Sequence, residues 1–576
     1  MPRRDMHTGP RTPRPVSRSR QGAAEASFSE GRAKVILGIF LILAALFLVR
    51  LVYLQVIVAG EYSEQAAQSR TVSIDIAPKR GTIYDRNGNV LATSIDAKTV
   101  YANPKDVTDA SWEAEQIVSV LGGTKKEWEE LLTQDTTFVY LKKQVEDETA
   151  QKLQDLALDG VYFLDDSKRI YPYGQVGGQI IGLIDVDGKG LTGLELYYDD
   201  ILAGEAGTLT AQYYGDDGKT IPGSVSEDKP AVDGEDIVIS IDIGMQQRVE
   251  EVLSATQADL SSKGGNSIVY DGGTGEIYAC ASLPYLDPTK RDDVKAGSTE
   301  LQSITAAFEP GSIFKTVTFA AIMEAGVLTP DDEVFCPAAL AADEYYITDA
   351  HDRGDETLTV RQILDQSSNV GTSLCASKLG FPPLYDKIIE YNLNEATGVD
   401  FPGEGSGFLT DVSEWSTIQA YNVSFGQGIS VTPLQITRFY GALVNDGVEC
   451  TPHFLMQRLN SDEQPQWGTE QVIQNKAAIG TMTDMLTTVV EDGTGKDAAI
   501  EGYTVAGKTG TAEYASESGG YVKGSYNISF VGYLPNSNSQ LVCFVGATEV
   551  PAERSTTSAF SDIMSFATER YRIVAE

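Results

Sequence analysis

Three short segments of the chain carry residue types suited to acyl transfer. In Pro310-Gly311-Ser312-Ile313-Phe314-Lys315 a hydroxyl stands three positions before an amine, at a helix-start signal. Residues three apart share one face of a helix, so Ser312 and Lys315 can meet one turn apart, at the positive end of the helix dipole where a developing oxyanion is favoured. A serine becomes a nucleophile only beside a base, and a lysine can be that base when burial or a second cation destabilises its ammonium. Ser367-Ser368-Asn369 supplies a hydroxyl and a carboxamide at the start of another expected helix. Lys508-Thr509-Gly510-Thr511 supplies a cation, two hydroxyls and a glycine that permits close approach. Any one of these segments could be an ordinary surface turn. All three, in this order on one chain, are a far stronger signal.

These segments need a scaffold, and the sequence pattern outlines one. From residue 61 to about 240, short β-rich runs alternate with glycine turns, with one helix expected around residues 114–121 and a hairpin signal at Asn87-Gly88. A second unit begins with a β-type run at residues 237–241, followed by helical periodicity over 246–253. Strands at 267–270 and 276–280 flank the turn Asp271-Gly272-Gly273-Thr274-Gly275, a largely helical stretch runs to about Gly447, and strand character returns over 529–548. Strands at both ends of a unit enclosing helices make an α+β pattern.

Charge and hydropathy divide the chain further. Arg3, Arg4, Arg11, Arg14, Arg18, Arg20, Arg32 and Lys34 face only Asp5, Glu25 and Glu30, so residues 1–34 read as a basic disordered tail. The chain as a whole carries −38, which leaves a strongly acidic body and argues against nucleic acid as a partner. Between tail and body, the apolar run from Val35 to Val49, continued past Arg50 to Val58, is long enough for the roughly 20 residues of a bilayer span. A basic flank before it puts the N-terminus inside and everything beyond about residue 60 outside the cytoplasm. The run exceeds the apolar core of a cleaved signal peptide, so an uncleaved anchor is expected. The five cysteines, Cys280, Cys336, Cys375, Cys450 and Cys543, are widely spaced with no CxxC pair. They support neither a metal site nor a disulfide framework, and buried apolar roles are expected for them. No cofactor is called for.

The order Ser-x-x-Lys, Ser-x-Asn, Lys-Thr-Gly is the set found in penicillin-binding proteins and class A β-lactamases. From the anchor to about Pro551 the chain resembles class B penicillin-binding proteins. Arg80-Gly81-Thr82-Ile83-Tyr84-Asp85-Arg86-Asn87-Gly88, Arg169-Ile170-Tyr171-Pro172 and Gly190-Leu191-Thr192-Gly193-Leu194-Glu195 look like that family's pedestal motifs. Phe308-Glu309-Pro310-Gly311-Ser312 and Ser424-Phe425-Gly426-Gln427-Gly428 look like its catalytic half. Leu91-Ala92-Thr93-Ser94 and Leu54-Gln55-Val56 resemble the septal, cell-division branch more than the elongation branch. The resemblance implies a pedestal over residues 59–236 and a transpeptidase domain over 237–576, an antiparallel sheet with helices on both faces.

It also implies roles. Ser312 is the nucleophile, Lys315 its base, Ser367 a proton relay and Asn369 the holder of the acyl donor's backbone, with Lys508 supporting the electrostatics. Thr509, Gly510 and Thr511 bind the terminal carboxylate of a D-Ala-D-Ala stem peptide, and the N–H groups of Ser312 and Thr511 form the oxyanion hole. β-Lactams would acylate the same serine. The septal branch implies a glycan polymerase of the SEDS type and other divisome membrane proteins as partners, with Arg50 and Gln55 as contact groups or as snorkelling interfacial residues. The same motifs serve a D,D-carboxypeptidase or an elongation-type enzyme, and a β-lactam sensor or division scaffold would keep the fold without turnover. A fused glycosyltransferase is not expected, since the pedestal carries no second catalytic set. Two look-alikes are set aside. Gly502 to Thr509 fits a phosphate-binding G-x-x-x-x-G-K-T loop, but residues 510–524 are turn-like where a helix is required. Glu390-Tyr391-Asn392-Leu393-Asn394 fits the Glu-x-x-Leu-Asn pattern of class A β-lactamases, yet the chain reads Ser-Ser-Asn where that class has Ser-Asp-Asn.

Overall fold

The computed structural model describes residues 30–60, 71–214, 219–220, 226–515 and 520–575. The predicted basic tail lies outside them up to residue 29. Helix α1 (Glu30–Val52) begins ahead of Val35, so residues 30–34 are helical, and a π-helical turn (Tyr53–Ile57) extends it. The span Gly31–Ile57 has a mean hydropathy of 3.0 and is exposed along its length. A bare apolar helix of this length is suited to a bilayer. Arg50 lies over the Tyr53 ring at 5.4 Å.

The N-terminal half is built on β1 (Ile83–Tyr84) and β2 (Val90–Ala102), joined by the Asn87-Gly88 hairpin. Asp85 Oδ1 closes the turn by accepting the N–H groups of Asn87 and Asn89, both at 2.8 Å. Helices α2 (Ala110–Leu121) and α3 (Lys125–Leu132) follow, then β3 (Val139–Glu146), α4 (Asp147–Gln154) and β4 (Val161–Ile170). Only α2 is anticipated by the sequence reading; α3 opens on a Thr124/Glu127 capping box, a signal that was available. Strands β3 and β4 both pair antiparallel with β2.

Strand β5 (Ile237–Ile239) pairs parallel with β1, so the point where the sequence pattern divides the chain falls inside a sheet that both halves build. Helix α5 (Ile243–Leu260) is capped by Asp242, and β6 (Gly264–Asp271) and β7 (Ile277–Ser282) follow. A 3-10 turn (Gly311–Phe314) leads into α6 (Lys315–Ala325). The next stretch departs from the helical expectation: β8 (Glu333–Cys336), β9 (Leu340–Ala342), β10 (Tyr345–Ile347) and β11 (Glu356–Thr359) form two small antiparallel pairs, β8 with β11 and β9 with β10. Helices α7 (Val360–Asp365), α8 (Asn369–Leu379), α9 (Phe381–Glu390) and α10 (Pro433–Val444) then precede β12 (Leu455–Arg458), which pairs with β5 and completes the shared sheet. Helix α11 (Lys476–Glu491) leads to β13 (Ala506–Ala515), β14 (Tyr521–Tyr533), β15 (Leu541–Val550) and the last helix α12 (Thr557–Tyr571).

The five-stranded sheet has the order β7-β6-β15-β14-β13 and is antiparallel throughout. Strand β6 is buried along almost its whole length, as a central strand covered on both faces must be. One face packs Val269, Ala279 and Val545 against α5 and α12, through Val249, Phe560 and Ile563. The other packs Ile268, Tyr270 and Phe544 against α6, α10 and α11, through Phe319, Phe439 and Met482. The fold is α+β with helices on both faces of the sheet. Of residues 510–524, turn-like in composition, 510–515 and 521–524 are strand, β13 and β14 pairing as far as Ala515 and Tyr521, while 516–519 lie outside the described residues. All five cysteines are buried and free.

The two halves are locked together. Tyr198 donates its hydroxyl to Asp400 Oδ2 at 2.5 Å, while Asp400 also accepts the N–H groups of Phe454 and Leu455. Gln179 donates to the carbonyls of Pro284, Ser298 and Glu300 and accepts from Ser282 N–H. Within the N-terminal half, Arg80 and Arg169 share the buried Glu195, and Arg80 also meets Asp199 at 2.6 Å. One residue from each of the three pedestal motifs thus meets in a single ion cluster.

Candidate active site

Ser312 sits half-buried in the 3-10 turn before α6. Gly311 donates its N–H to the Gly426 carbonyl at 2.9 Å. Gly426 has φ +88°, and a Cβ there would lie 2.1 Å from the Gly311 oxygen, so only glycine fits. On the other side, a Cβ on Gly510 would lie 2.4 Å from Ser529 Oγ and 3.0 Å from Ile313 Cγ2. The missing side chain at Gly510 lets β13 lie against the turn that carries Ser312.

Lys315, the first residue of α6, is fully buried. Its amine donates to Asn369 Oδ1 at 2.8 Å, to Ser367 Oγ at 3.2 Å and to the Ser367 carbonyl. Among the described residues it makes no hydrogen bond to Ser312, contrary to the expectation from their spacing. In its ammonium form Lys315 has all three donors taken, and they draw Nζ toward the start of α8. Burial and the charge of Lys508 push the Lys315 amine well below the ordinary lysine range, with Asp349 opposing them. Lys508, inside β13 and also fully buried, is pushed down to about 7 by burial, with Asp365 opposing.

Ser367 lies between α7 and α8 with φ +59°, a left-handed conformation that costs a non-glycine residue about 1–3 kcal/mol. The turn is fixed by N–H bonds from Ser367 to Leu364 and from Ser368 to Ile363. Its hydroxyl oxygen receives Lys315 Nζ at 3.2 Å and Lys508 Nζ at 3.0 Å. With both lone pairs engaged, the hydroxyl's own proton is free to be given to a third group. Asn369 opens α8 and donates Nδ2 to the Thr348 carbonyl at 3.2 Å. Thr509 is half-buried beside Lys508, whereas Thr511 faces solvent two residues along the strand.

One site residue has no place in the sequence reading. Thr494 Oγ1 lies 2.6 Å from Thr509 Oγ1, and its N–H reaches the Asp365 carbonyl. The Gly493-Thr494-Gly495 turn was the available signal. The two look-alikes fall away. Lys508 is in mid-strand and the chain continues as strand to Ala515 where a phosphate loop would open into a helix, and Glu390 ends α9 as an exposed partner of Lys387. Among the described residues no cluster suited to a metal ion occurs.

The geometry gathers two buried amines, a shared hydroxyl and a carboxamide behind an accessible serine. Residues 265–565 match the family model described as Penicillin binding protein transpeptidase domain, and residues 75–239 match Penicillin-binding Protein dimerisation domain. The chain belongs to the class B penicillin-binding proteins. Relatives of this penicillin-binding protein include Stage V sporulation protein D of Bacillus subtilis (strain 168), 30% identical over 507 residues that cover 86% of this chain and 78% of that one. Peptidoglycan D,D-transpeptidase FtsI of Escherichia coli (strain K12) is 29% identical over 541 residues, covering 90% and 87%. Among solved structures, Penicillin binding protein 3 from Mycobacterium tuberculosis complexed with aztreonam aligns with a TM-score of 0.69 at 26% identity, covering 87% of this chain and 98% of that one.

Proposed function

We propose that this penicillin-binding protein is a D,D-transpeptidase that cross-links peptidoglycan stem peptides ending in D-Ala-D-Ala, acts in septal wall synthesis, and is acylated by β-lactams at Ser312. The observation that carries the reading is the meeting of Lys315 and Lys508 on Ser367 Oγ behind a half-buried serine. A relative named peptidoglycan D,D-transpeptidase and a similar structure holding aztreonam support it.

In the first half-reaction Ser312 Oγ bonds to the penultimate D-alanine carbonyl carbon while its proton passes to neutral Lys315. The peptide C–N bond breaks, and terminal D-alanine departs with a proton delivered through Ser367. An amine of a second stem peptide then attacks the ester carbon, a new C–N bond forms as the bond from that carbon to Ser312 Oγ breaks, and the proton given up by the amine restores the Ser312 hydroxyl. Asn369 holds the donor backbone, Lys508 supports the electrostatics, and Thr509, Gly510 and Thr511 receive the terminal carboxylate. The N–H groups of Ser312 and Thr511 stabilise the oxyanion, each donor worth about 10²- to 10³-fold in rate. The tight contact at Gly510 supports this arrangement by bringing β13 to the serine turn.

The Gly31–Ile57 helix supports anchoring in the cell membrane, with the N-terminus cytoplasmic and the pedestal (59–236) and transpeptidase unit (237–576) outside. A SEDS-type glycan polymerase and other divisome membrane proteins are the partners proposed, contacted through anchor and pedestal. The test is labelling of the full-length, detergent-solubilised protein by a fluorescent penicillin. A stable adduct that is absent from Ser312→Ala fits a transpeptidase; rapid release points to a hydrolase, and no labelling to a scaffold. Depletion in cells tests the septal role: filaments support it, and rounded cells overturn it in favour of elongation.

A further inference from the structure

We propose that Asp349 is a positioning residue for this reaction: from a loop outside the three motifs, its carboxylate clamps the turn that carries Ser367 and Asn369 and so fixes where Lys315 holds its amine. The inference rests on the roles proposed above for Ser312, Lys315 and Ser367.

Asp349 follows β10, and its side chain is 11% exposed. Oδ1 accepts the N–H of Val370 at 3.0 Å, and Oδ2 accepts the hydroxyl of Ser368 at 2.8 Å. Ser368 in turn caps α8 by accepting Gly371 N–H at 2.9 Å. The neighbouring Thr348 carbonyl holds Asn369 Nδ2. Every residue from Ser368 to Val370 is therefore pinned to the two-residue step Thr348-Asp349. The α8 helix has no acidic residue in its own first turn, and Asp349 supplies from elsewhere the negative charge that a helix N-terminus favours. Arg353 fixes the carboxylate in turn, with Nε at 2.5 Å from Oδ2 and Nη1 on the Cys336 and Gly354 carbonyls.

The clamp is also electrostatic. The charged groups that bear on Lys315 are Lys508, which disfavours its ammonium, and Asp349, which favours it. Behind Asp349 stand Arg353 and then Glu356, 3.3 Å from Arg353; Asp365 bears on Lys508. Removing the Asp349 charge leaves Lys315 easier to deprotonate. Removing Arg353 leaves the Asp349 charge less compensated and makes Lys315 harder to deprotonate. The two variants should move the acid limb of the reaction in opposite directions, which loss of packing alone cannot do.

The experiment measures the rate of acylation of the full-length protein by a fluorescent penicillin as a function of pH, for wild type, Asp349→Asn and Arg353→Gln, with thermal unfolding of each. Asp349→Asn is expected to acylate about 10- to 100-fold more slowly at its plateau, because the Ser367–Asn369 turn is released. Its acid limb should shift to lower pH, and that of Arg353→Gln to higher pH. Acid limbs that coincide with wild type in both variants overturn the inference, whatever the plateau rates. If Asp349→Asn does not fold, the Arg353→Gln limb decides: an upward shift supports the clamp and an unmoved limb overturns it. Failure of the wild type to label at all would overturn the underlying reading as well, which separates the two.

Discussion

Lys315 and Lys508 converge on one oxygen: Ser367 Oγ lies 3.2 Å from the first amine and 3.0 Å from the second. Two fully buried ammonium groups around a single hydroxyl repel one another and have lost their hydration, so the site favours at most one charge at neutral pH. This is how a lysine comes to serve as a base.

Replacing Lys508 by Gln tests that coupling. Lys508 disfavours the Lys315 ammonium, so its removal raises the affinity of Lys315 for a proton and reduces the neutral fraction at pH 7. The acid limb of penicillin acylation should move to higher pH. Loss of the charged donor to Ser367 Oγ should also lower the rate about 10- to 100-fold. A limb that stays in place would mean that the two amines are not coupled.

Gly426 offers a purely steric test. In Gly426→Ala the new methyl meets the Gly311 oxygen at 2.1 Å and Phe314 Cβ at 2.7 Å, at a φ of +88° that alanine resists. The turn carrying Ser312 must move, and acylation should fall by about 10²-fold, as expected for a misplacement near 1 Å. Wild-type acylation kinetics in this variant would show that the turn tolerates the shift.

The three chemical motifs were legible because each is a contiguous run whose residue types state their own chemistry. So were the apolar anchor, the strand pair around Asp271 to Gly275, and the return to strand near residue 529. What escaped was anything defined by long-range contact. The Ser312 to Lys315 spacing says that the pair can share a helix face, but not that Asn369 and Ser367, more than 50 positions on, take the amine's donors. Strands β8 to β11 have three or four residues each and expose Phe335, Tyr345 and Tyr346, too short and too exposed for an alternating pattern to register. Gly510 and Gly524 read as turn residues, although the pairing of β13 with β14 carries both in strand. Asp349 and Thr494 belong to no motif and acquire meaning only from what they touch.

The Arg80, Arg169 and Glu195 cluster should be the most sensitive point of the N-terminal half. Glu195 is fully buried and answers two guanidinium groups, while Arg169 Nη2 has no hydrogen-bond partner among the described residues. Glu195→Gln removes the shared charge and leaves two buried cations, one helped only by Asp199. Breaking such a group typically costs about 3–5 kcal/mol. Urea unfolding should show that loss, with Ser312 still acylated under native conditions; an unchanged midpoint would mean the cluster contributes little.

A second buried glutamate gives a pH-dependent signature. Glu250 on α5 accepts Gly177 N–H at 2.8 Å and Gln246 Nε2 at 2.9 Å, linking the two halves of the chain. Burial raises its proton affinity from an ordinary 4.5 to about 7. The folded chain therefore holds this proton more tightly than the unfolded chain. The resulting stabilisation is complete below the unfolded value and is lost as pH rises through about 7. Glu250→Gln keeps an oxygen for Gly177 and never ionises, so its Tm should be nearly level with wild type at about pH 5 and should rise relative to wild type by about pH 8. Thermal unfolding of the two full-length proteins across that range checks it. Tm curves that run parallel would show that Glu250 titrates in the folded chain as it does in water.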